Sequence, residues 1–404
     1  MNLLPNYTAA FRKNDYLALR AVYSFNAFLL SIIVVGWLFI LKISIFDLNL
    51  RKLRCIASIR AYLTLKKWCL YKEIRIMANV LLTETCVRSC PYCFAKQYMS
   101  ENDVKDSLSW DNLIYIADFL EGSGERHISL LGGEPLLHPQ IAEFIIYLSQ
   151  RDFFVTVFTS GIMADGKFDD FARKILARGP ELKLGFVCNV NDPKLSKKSE
   201  LEKVQKFLTV FGERCTLSFN IYRLDFNMDF LIDYIVDYGI GRHIRLGLAH
   251  PIPGAKNLYI QPKDFHIVKD TLLRSFVRMA ELDIVPGFDC GFPMCMFSNE
   301  ELGRVYKYTL GQLSFQCGPA IDIGTDMSCW SCFPLSDFNK KSIFDFDNYR
   351  EMHDFYESKI KEVRNEVRGI YLECDFCENF KHGTCSGGCL AHILNKYILE
   401  GNIR

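Results

Sequence analysis

Three cysteines stand close together in Thr83-Glu84-Thr85-Cys86-Val87-Arg88-Ser89-Cys90-Pro91-Tyr92-Cys93-Phe94, directly after an apolar run from Ala78 to Thr83. Three and two residues separate the thiols, so one loop can wrap them around one face of a cubane cluster. Cubane irons are usually held by four Cys thiolates. Three ligands leave one iron open to an exchangeable ligand, which signals catalysis rather than storage. The alternative is a structural zinc site, which usually takes four ligands paired across two loops. No fourth Cys or His lies near this loop in the sequence.

The remaining cysteines are unevenly spread. Of 16 in the chain, Cys290, Cys295, Cys317, Cys329 and Cys332 follow a long cysteine-poor middle, and Cys374, Cys377, Cys385 and Cys389 form a last group. Between Cys93 and Cys290 there are only Cys188 and Cys215. A secreted disulfide scaffold would be shorter and would lack that middle. Clustered thiols flanking an ordinary core point instead to metal sites in a reducing compartment. Cys55, Cys69, Cys188 and Cys215 are isolated and read as packing.

The elements that must position these thiols are legible as alternating apolar runs and amphipathic stretches, the pattern of parallel βα units. Strands are predicted at 78–83, 127–131, 153–158, 183–189, 216–222 and 243–249, with helices at 110–120, 139–150, 168–177, 198–211 and 228–238. Six such units are too few for a full eight-stranded barrel, which takes about 250 residues. The fold class expected is therefore α/β: an open, partial (β/α)6 TIM-like barrel over 77–285, with its chemistry at the C-terminal ends of the strands. A helix over 262–282 leads into a small, loop-rich, cysteine-rich domain over 286–404. The whole chain has 404 residues, half of them hydrophobic, and 48 basic against 47 acidic groups. Such a composition argues against disorder and gives no global footprint for nucleic acid.

Residues 1–76 read as an N-terminal extension, since Met77 directly precedes the first strand. Within it, Ala21 to Leu41 carries no charged residue. Twenty-one helical residues span about 31 Å, close to a bilayer core. Eight basic residues and one acid, Asp47, lie between Lys42 and Lys72. The segment is thus a candidate transmembrane anchor, with the C-terminal side facing the cytoplasm.

The first motif resembles the radical S-adenosylmethionine (radical SAM) family pattern CxxxCxΦC, with Tyr92 at Φ. Leu131-Gly132-Gly133-Glu134-Pro135, one βα unit later, resembles that family's GGEP motif. The resemblance implies a [4Fe–4S] cluster on Cys86, Cys90 and Cys93 as the catalytic ligands, with S-adenosylmethionine chelating the open iron. It further implies that Glu134 pairs with the methionine ammonium, while Gly132 and Gly133 let the backbone approach the ligand closely. Ser160, in Thr159-Ser160-Gly161, and Asn189 stand where the family places further cofactor contacts; each could equally be a turn or cap residue. Tyr92 stands beside the adenine or is simply a buried aromatic. His250, at the end of the sixth strand, is a substrate contact or, more simply, a structural histidine.

The C-terminal cysteines resemble the SPASM domain, an auxiliary-cluster module found behind radical SAM barrels: C…Gx4C, then CxxC…CxxxC. Cys317, Gly324 and Cys329 supply the first part, and Cys374, Cys377, Cys385 and Cys389 the second. By the family scheme Cys317, Cys329 and Cys389 hold one auxiliary Fe–S cluster, and Cys374, Cys377 and Cys385 belong to another. Two departures stand out. Seven residues separate Cys377 from Cys385 where the family usually has five, and no cysteine follows Cys389. Cys290, Cys295 or Cys332 could complete either set.

What the resemblance implies about activity is reductive cleavage of S-adenosylmethionine to a 5′-deoxyadenosyl radical that abstracts hydrogen from substrate. The substrate expected is a peptide or protein, with a small-molecule dehydrogenase or rearrangement enzyme as the alternative. A non-catalytic Fe–S or zinc scaffold is a third reading, opposed by the intact CxxxCxYC and GGE. An electron donor such as flavodoxin or ferredoxin is implied, and a cytoplasmic location, with the candidate anchor at the membrane's cytoplasmic face.

Overall fold

The structure, a computed structural model, describes residues 78–399 apart from 97–98, 100–105, 290, 312 and 319–320. The candidate anchor at 21–41, the extension 1–76 and Cys290 lie outside the described residues, as do Cys55 and Cys69. Among the described residues no helix is long and apolar enough to cross a membrane.

Seven strands run parallel in chain order: β1 (Ala78–Thr83), β2 (His127–Gly132), β3 (Phe154–Thr159), β4 (Leu184–Asn189), β5 (Cys215–Ile221), β6 (His243–Leu248) and β7 (Val285–Phe288). Between them lie α1 (Trp110–Gly122), α2 (Ile141–Gln150), α3 (Asp165–Leu176), α4 (Lys198–Phe211), α5 (Asp229–Asp237) and α6 (Phe265–Glu281). The six expected strands and six expected helices are all present, most with ends shifted by one to three residues. This is the mixed α/β architecture of a partial TIM-like barrel, with its sheet open at both ends.

The strand missed in the sequence is β7, Val285-Pro286-Gly287-Phe288. Its proline and glycine argue against a strand, because proline cannot donate to a ladder. The structure puts β7 at the sheet edge, where that donor is not needed. The segment after it also reaches the barrel. β8 (Ile321–Ile323) pairs parallel with β1, and β9 (Ser328–Ser331) and β10 (Lys341–Ser342) add antiparallel, giving the order β10-β9-β8-β1-β2-β3-β4-β5-β6-β7. The segment 286–404 therefore shares one sheet with the barrel strands. It also carries α7 (Asn299–Tyr308), α8 (Tyr349–Val367) and α9 (Leu390–Leu399).

Strand alternation sorts the two faces of the sheet. Ala78, Val80 and Leu82 of β1 enter the main core with Leu113, Ile116 and Leu120 of α1. Phe186 of β4 meets Phe207 and Phe211 of α4, each at 5.1 Å between ring centroids, a large aromatic burial that fixes that helix on the sheet. The opposite, inner face is more polar. Asn79 Nδ2 donates to the buried Asp322 Oδ1 at 2.8 Å across β1 and β8, and Arg245 Nη2 donates to Asp289 Oδ2 at 2.6 Å. Leu81 and Leu131 line this inner face with Ala95, Cys93, Trp330 and Phe333. The inner face thus changes from apolar beside the first cysteine loop to charged beneath β6.

Candidate active site and cysteine sets

The first cysteine loop leaves β1 at its C-terminal end and is held by backbone hydrogen bonds from the loop after β2. Gly133 N donates to Thr83 O at 2.7 Å, and Glu134 N to Thr85 O at 2.8 Å. A Cβ on Gly132 or Gly133 would overlap the carbonyl oxygens of Thr83 and Thr85 respectively, and Gly132 has φ +140°. The two glycines therefore serve the close approach of one loop backbone to another.

Within the loop, Cys93 N donates to Cys90 O at 3.1 Å, closing a tight turn around Pro91-Tyr92, and Arg88 N approaches Cys86 Sγ at 3.5 Å. Burial pushes the Cys93 thiol up to about 11, aided by the neighbouring Cys90 and Cys86. Burial also raises Cys86, with Glu134 and Cys90 adding to the effect. Such thiols ionise readily only when a cation joins them. The three Sγ atoms do not all lie within 4.8 Å of one another. One tetrahedral zinc would hold its sulfurs about 3.8 Å apart, from Zn–S bonds of about 2.3 Å.

Glu134 is buried, at 1% exposure, and its carboxylate collects four donors. Oε1 accepts from Thr159 Oγ1 at 2.5 Å and Leu136 N at 3.2 Å; Oε2 accepts from Ser160 N at 2.8 Å and from Ser160 Oγ. Burial nonetheless raises its pKa, the hydrogen bonds opposing. Among the described residues no Lys, Arg or His forms an ion pair with it. A buried carboxylate without a cation is costly, and the ammonium of S-adenosylmethionine would supply one. The residues therefore fit both groups: three thiols for a cluster, and an oriented carboxylate for an amino group beside it.

The other expected contacts make the following interactions within the chain. Ser160 holds Glu134. Tyr92 is buried, packs its ring on Tyr222 at 4.7 Å and donates its hydroxyl to Asn191 Oδ1 at 2.8 Å. Asn189 contributes its carbonyl oxygen to Arg88 Nη1 at 2.8 Å. His250 is buried, its ring 5.7 Å from that of His392, and its carbonyl accepts from Asn257 Nδ2 at 2.7 Å. Arg88, Asn191 and Asn257 are supports that the sequence did not reveal. Arg88 lies inside the motif at a position the pattern leaves open, while Asn257 Nδ2 reaches Tyr92 O at 3.3 Å from a loop far along the chain. A cavity of about 850 Å³ opens beside Tyr222, lined also by Asp192, Arg223, Arg274 and Arg278.

The C-terminal cysteines form two gatherings. All thirteen described cysteines are free thiols. Cys317 and Cys389 are neighbours, both raised by burial and both opposed by the guanidinium of Arg364. Arg364 is itself buried and donates Nη2 to Gly388 O at 2.7 Å. The structure does not bring Cys329 to this pair. Its thiol is buried on the core side of β9, 3.6 Å from Tyr356 Oη, with Asp345, Asp326 and Lys341 as its charged neighbours. Strand alternation explains this, because Trp330 and Cys332 share the other face. Cys332 packs against the cluster containing Leu390, the first residue after Cys389. Cys374, Cys377 and Cys385 gather separately. There Gly369, Gly387 and Gly388 are required by crowding: a Cβ on Gly369 would strike Cys374 Sγ, and one on Gly388 would meet Ile370 at 2.8 Å.

Residues 80–186 match the family model of the radical SAM superfamily. GTP 3′,8-cyclase of Chlorobaculum tepidum is 28% identical over 132 residues, 32% of this chain and 39% of that protein, so the chain aligns with about two fifths of its length. Among solved structures, Streptococcus suis SuiB bound to S-adenosylmethionine superposes with a TM-score of 0.56 at 16% identity, covering 78% of this chain and 73% of SuiB. SuiB has also been solved bound to its precursor peptide SuiA. Native anSMEcpe with bound AdoMet and the Kp18Cys peptide superposes with a TM-score of 0.56 at 16% identity, covering 78% of this chain and 89% of that one. The stretch that bears the cysteine loop and the first strands of the open parallel sheet is thus similar to the radical SAM superfamily, and the fold is shared with these S-adenosylmethionine-bound structures.

Proposed function

We propose that this chain is a radical SAM enzyme that modifies a peptide or protein. The observation that carries the catalytic reading is the buried Glu134 carboxylate, without a cationic partner among the described residues and one loop away from three thiols. In this reading Cys86, Cys90 and Cys93 hold the [4Fe–4S] cluster, and Glu134 receives the amino group of S-adenosylmethionine. Thr159 and Ser160 fix the carboxylate, and the Gly132–Gly133 backbone locks its loop to the cysteine loop. Tyr92 and Asn191 wall the site toward Tyr222. When bound, cluster and cofactor supply a 5′-deoxyadenosyl radical on one-electron reduction, and the chain's own task is to orient the cofactor and exclude water.

The peptide reading rests on the peptide-bound structures of SuiB and anSMEcpe, whose fold this chain shares across both the barrel and the cysteine-rich segment. A small-molecule reading is favoured by the sequence match to GTP 3′,8-cyclase. The free thiols suit a reducing compartment, in which flavodoxin or ferredoxin would deliver electrons. The test is 5′-deoxyadenosine release by the reconstituted full chain, offered either short peptides encoded beside its gene or GTP. Faster release with a peptide, together with a mass change in that peptide, supports the proposal. Release stimulated by GTP alone would transfer the chain to the small-molecule class.

A further inference from the structure

A closed cubane takes four thiolates, and the group formed by Cys374, Cys377 and Cys385 has only three from its own stretch of chain. A fourth thiol reaches it from upstream. After β7 the chain makes a short turn, Met294–Met296, which carries Cys295. Phe297 anchors that turn, its ring 6.0 Å from Phe288 of β7 and 6.4 Å from Phe315. Phe315 in turn pairs its backbone with Cys385 as an isolated parallel bridge, and Phe315 O accepts from Ser386 N at 2.9 Å. The Cys295 turn is thereby tied to the strand-like segment that bears Cys385. The thiols within electrostatic reach of Cys295 are those of Cys385, Cys374 and Cys377. Tyr371, which donates its hydroxyl to Pro262 O at 2.7 Å, is within electrostatic reach of both Cys295 and Cys374. No three of these sulfurs lie within 4.8 Å of one another, whereas one tetrahedral zinc holds its sulfurs about 3.8 Å apart.

We infer that Cys295 completes a four-thiolate site with Cys374, Cys377 and Cys385, which holds an iron–sulfur cluster with no open iron. The inference rests on the cluster-binding reading above, but concerns a ligand upstream of the cysteine motifs rather than one after them. Because all four irons are thiolate-bound, this site would pass electrons and not bind S-adenosylmethionine. Cys295 is exposed in the chain as described, so occupancy of the site should hide it from reagents.

The experiment uses the full chain, reconstituted anaerobically, in a Cys86→Ala, Cys90→Ala, Cys93→Ala background that lacks the first cluster. Adding Cys295→Ser should remove about four irons per chain or convert that cluster to a three-iron form by Mössbauer spectroscopy. Cys188→Ser, in the buried core of β4, is the control that should keep the full iron content. Independently of any substitution, iodoacetamide should spare Cys295 in the reconstituted protein and modify it after iron chelation, as read by peptide mass spectrometry. Unchanged iron and spectra in Cys295→Ser, or equal alkylation in both states, would overturn the assignment, as would zinc in the site. If the chain without these substitutions binds S-adenosylmethionine while Cys295 proves irrelevant, only this inference fails. If that chain takes up no iron at all, the catalytic reading fails with it.

Discussion

At the first loop, three thiols lie within eight residues of one another in the chain, and the loop is clamped by the Gly132–Gly133 backbone. At the other end of the molecule, thiols come from Cys295, Cys317 and the 374–389 stretch, brought together by turns, an isolated bridge and glycine-tight crossings. The first arrangement is local and leaves an open position. The second is non-local and, with Cys295, closed. Catalysis needs a free coordination site next to an oriented carboxylate, whereas electron transfer needs only saturation and shielding.

The difference can be broken most sharply at Gly133. A Cβ there overlaps the Thr85 carbonyl, so Gly133→Ala must displace the cysteine loop. A shift of about 1 Å at a reacting centre costs on the order of 100-fold. Release of 5′-deoxyadenosine should fall by that order while the C-terminal clusters keep their iron; an unaltered rate would show that the clamp is dispensable. Next in size is the contrast between two buried thiols. Cys317→Ser should lose the iron of one C-terminal cluster, whereas Cys329→Ser, beneath Tyr356, should lose none. Equal losses measured by iron and sulfide analysis would return Cys329 to the ligand set.

Smaller effects sharpen the same picture. Glu134→Gln keeps the hydrogen-bonding shape but removes the charge, and S-adenosylmethionine should bind on the order of 10- to 100-fold more weakly. Calorimetric titration that found unchanged affinity would remove Glu134 from the cofactor site. The least effect is expected at Asp322, on the inner face beside β1. Burial raises its carboxyl to about 7, against the Asn79 hydrogen bond. The unfolded chain releases this proton near pH 4 and the folded chain near 7. The stability this group contributes is thus complete below about pH 4 and is lost progressively as pH rises to about 7. Asp322→Asn should therefore gain in Tm over the parent as pH moves from about 5 to about 8. A difference independent of pH would contradict the raised value.

The barrel was legible because both periods were strong: six strand runs and five amphipathic helices alternate before Pro251. β7 was not, because an edge strand tolerates the proline and glycine that a sequence reading counts against it. Cysteine spacing exposed the first loop, since its three thiols are neighbours in the chain. Spacing could not tell that Cys329 faces the core, as one residue's shift along a strand reverses its side. Nor could it reveal that the Cys295 turn is joined to the Cys385 segment, since an aromatic contact and an isolated bridge make that link. Glu134 was visible as a motif residue, but the Thr159 and Ser160 donors that hold it became evident only in the folded chain.

The most direct test of the central claim compares the anaerobically reconstituted full chain with its Cys86→Ala, Cys90→Ala, Cys93→Ala variant, each given S-adenosylmethionine and dithionite. The parent should carry about 12 irons if all three sites hold cubanes, and should release 5′-deoxyadenosine. The variant should retain about 8 irons and release none. Release by the variant at the parent's rate, or zinc in place of iron in an inactive parent, would contradict the assignment of the open cluster to the first loop.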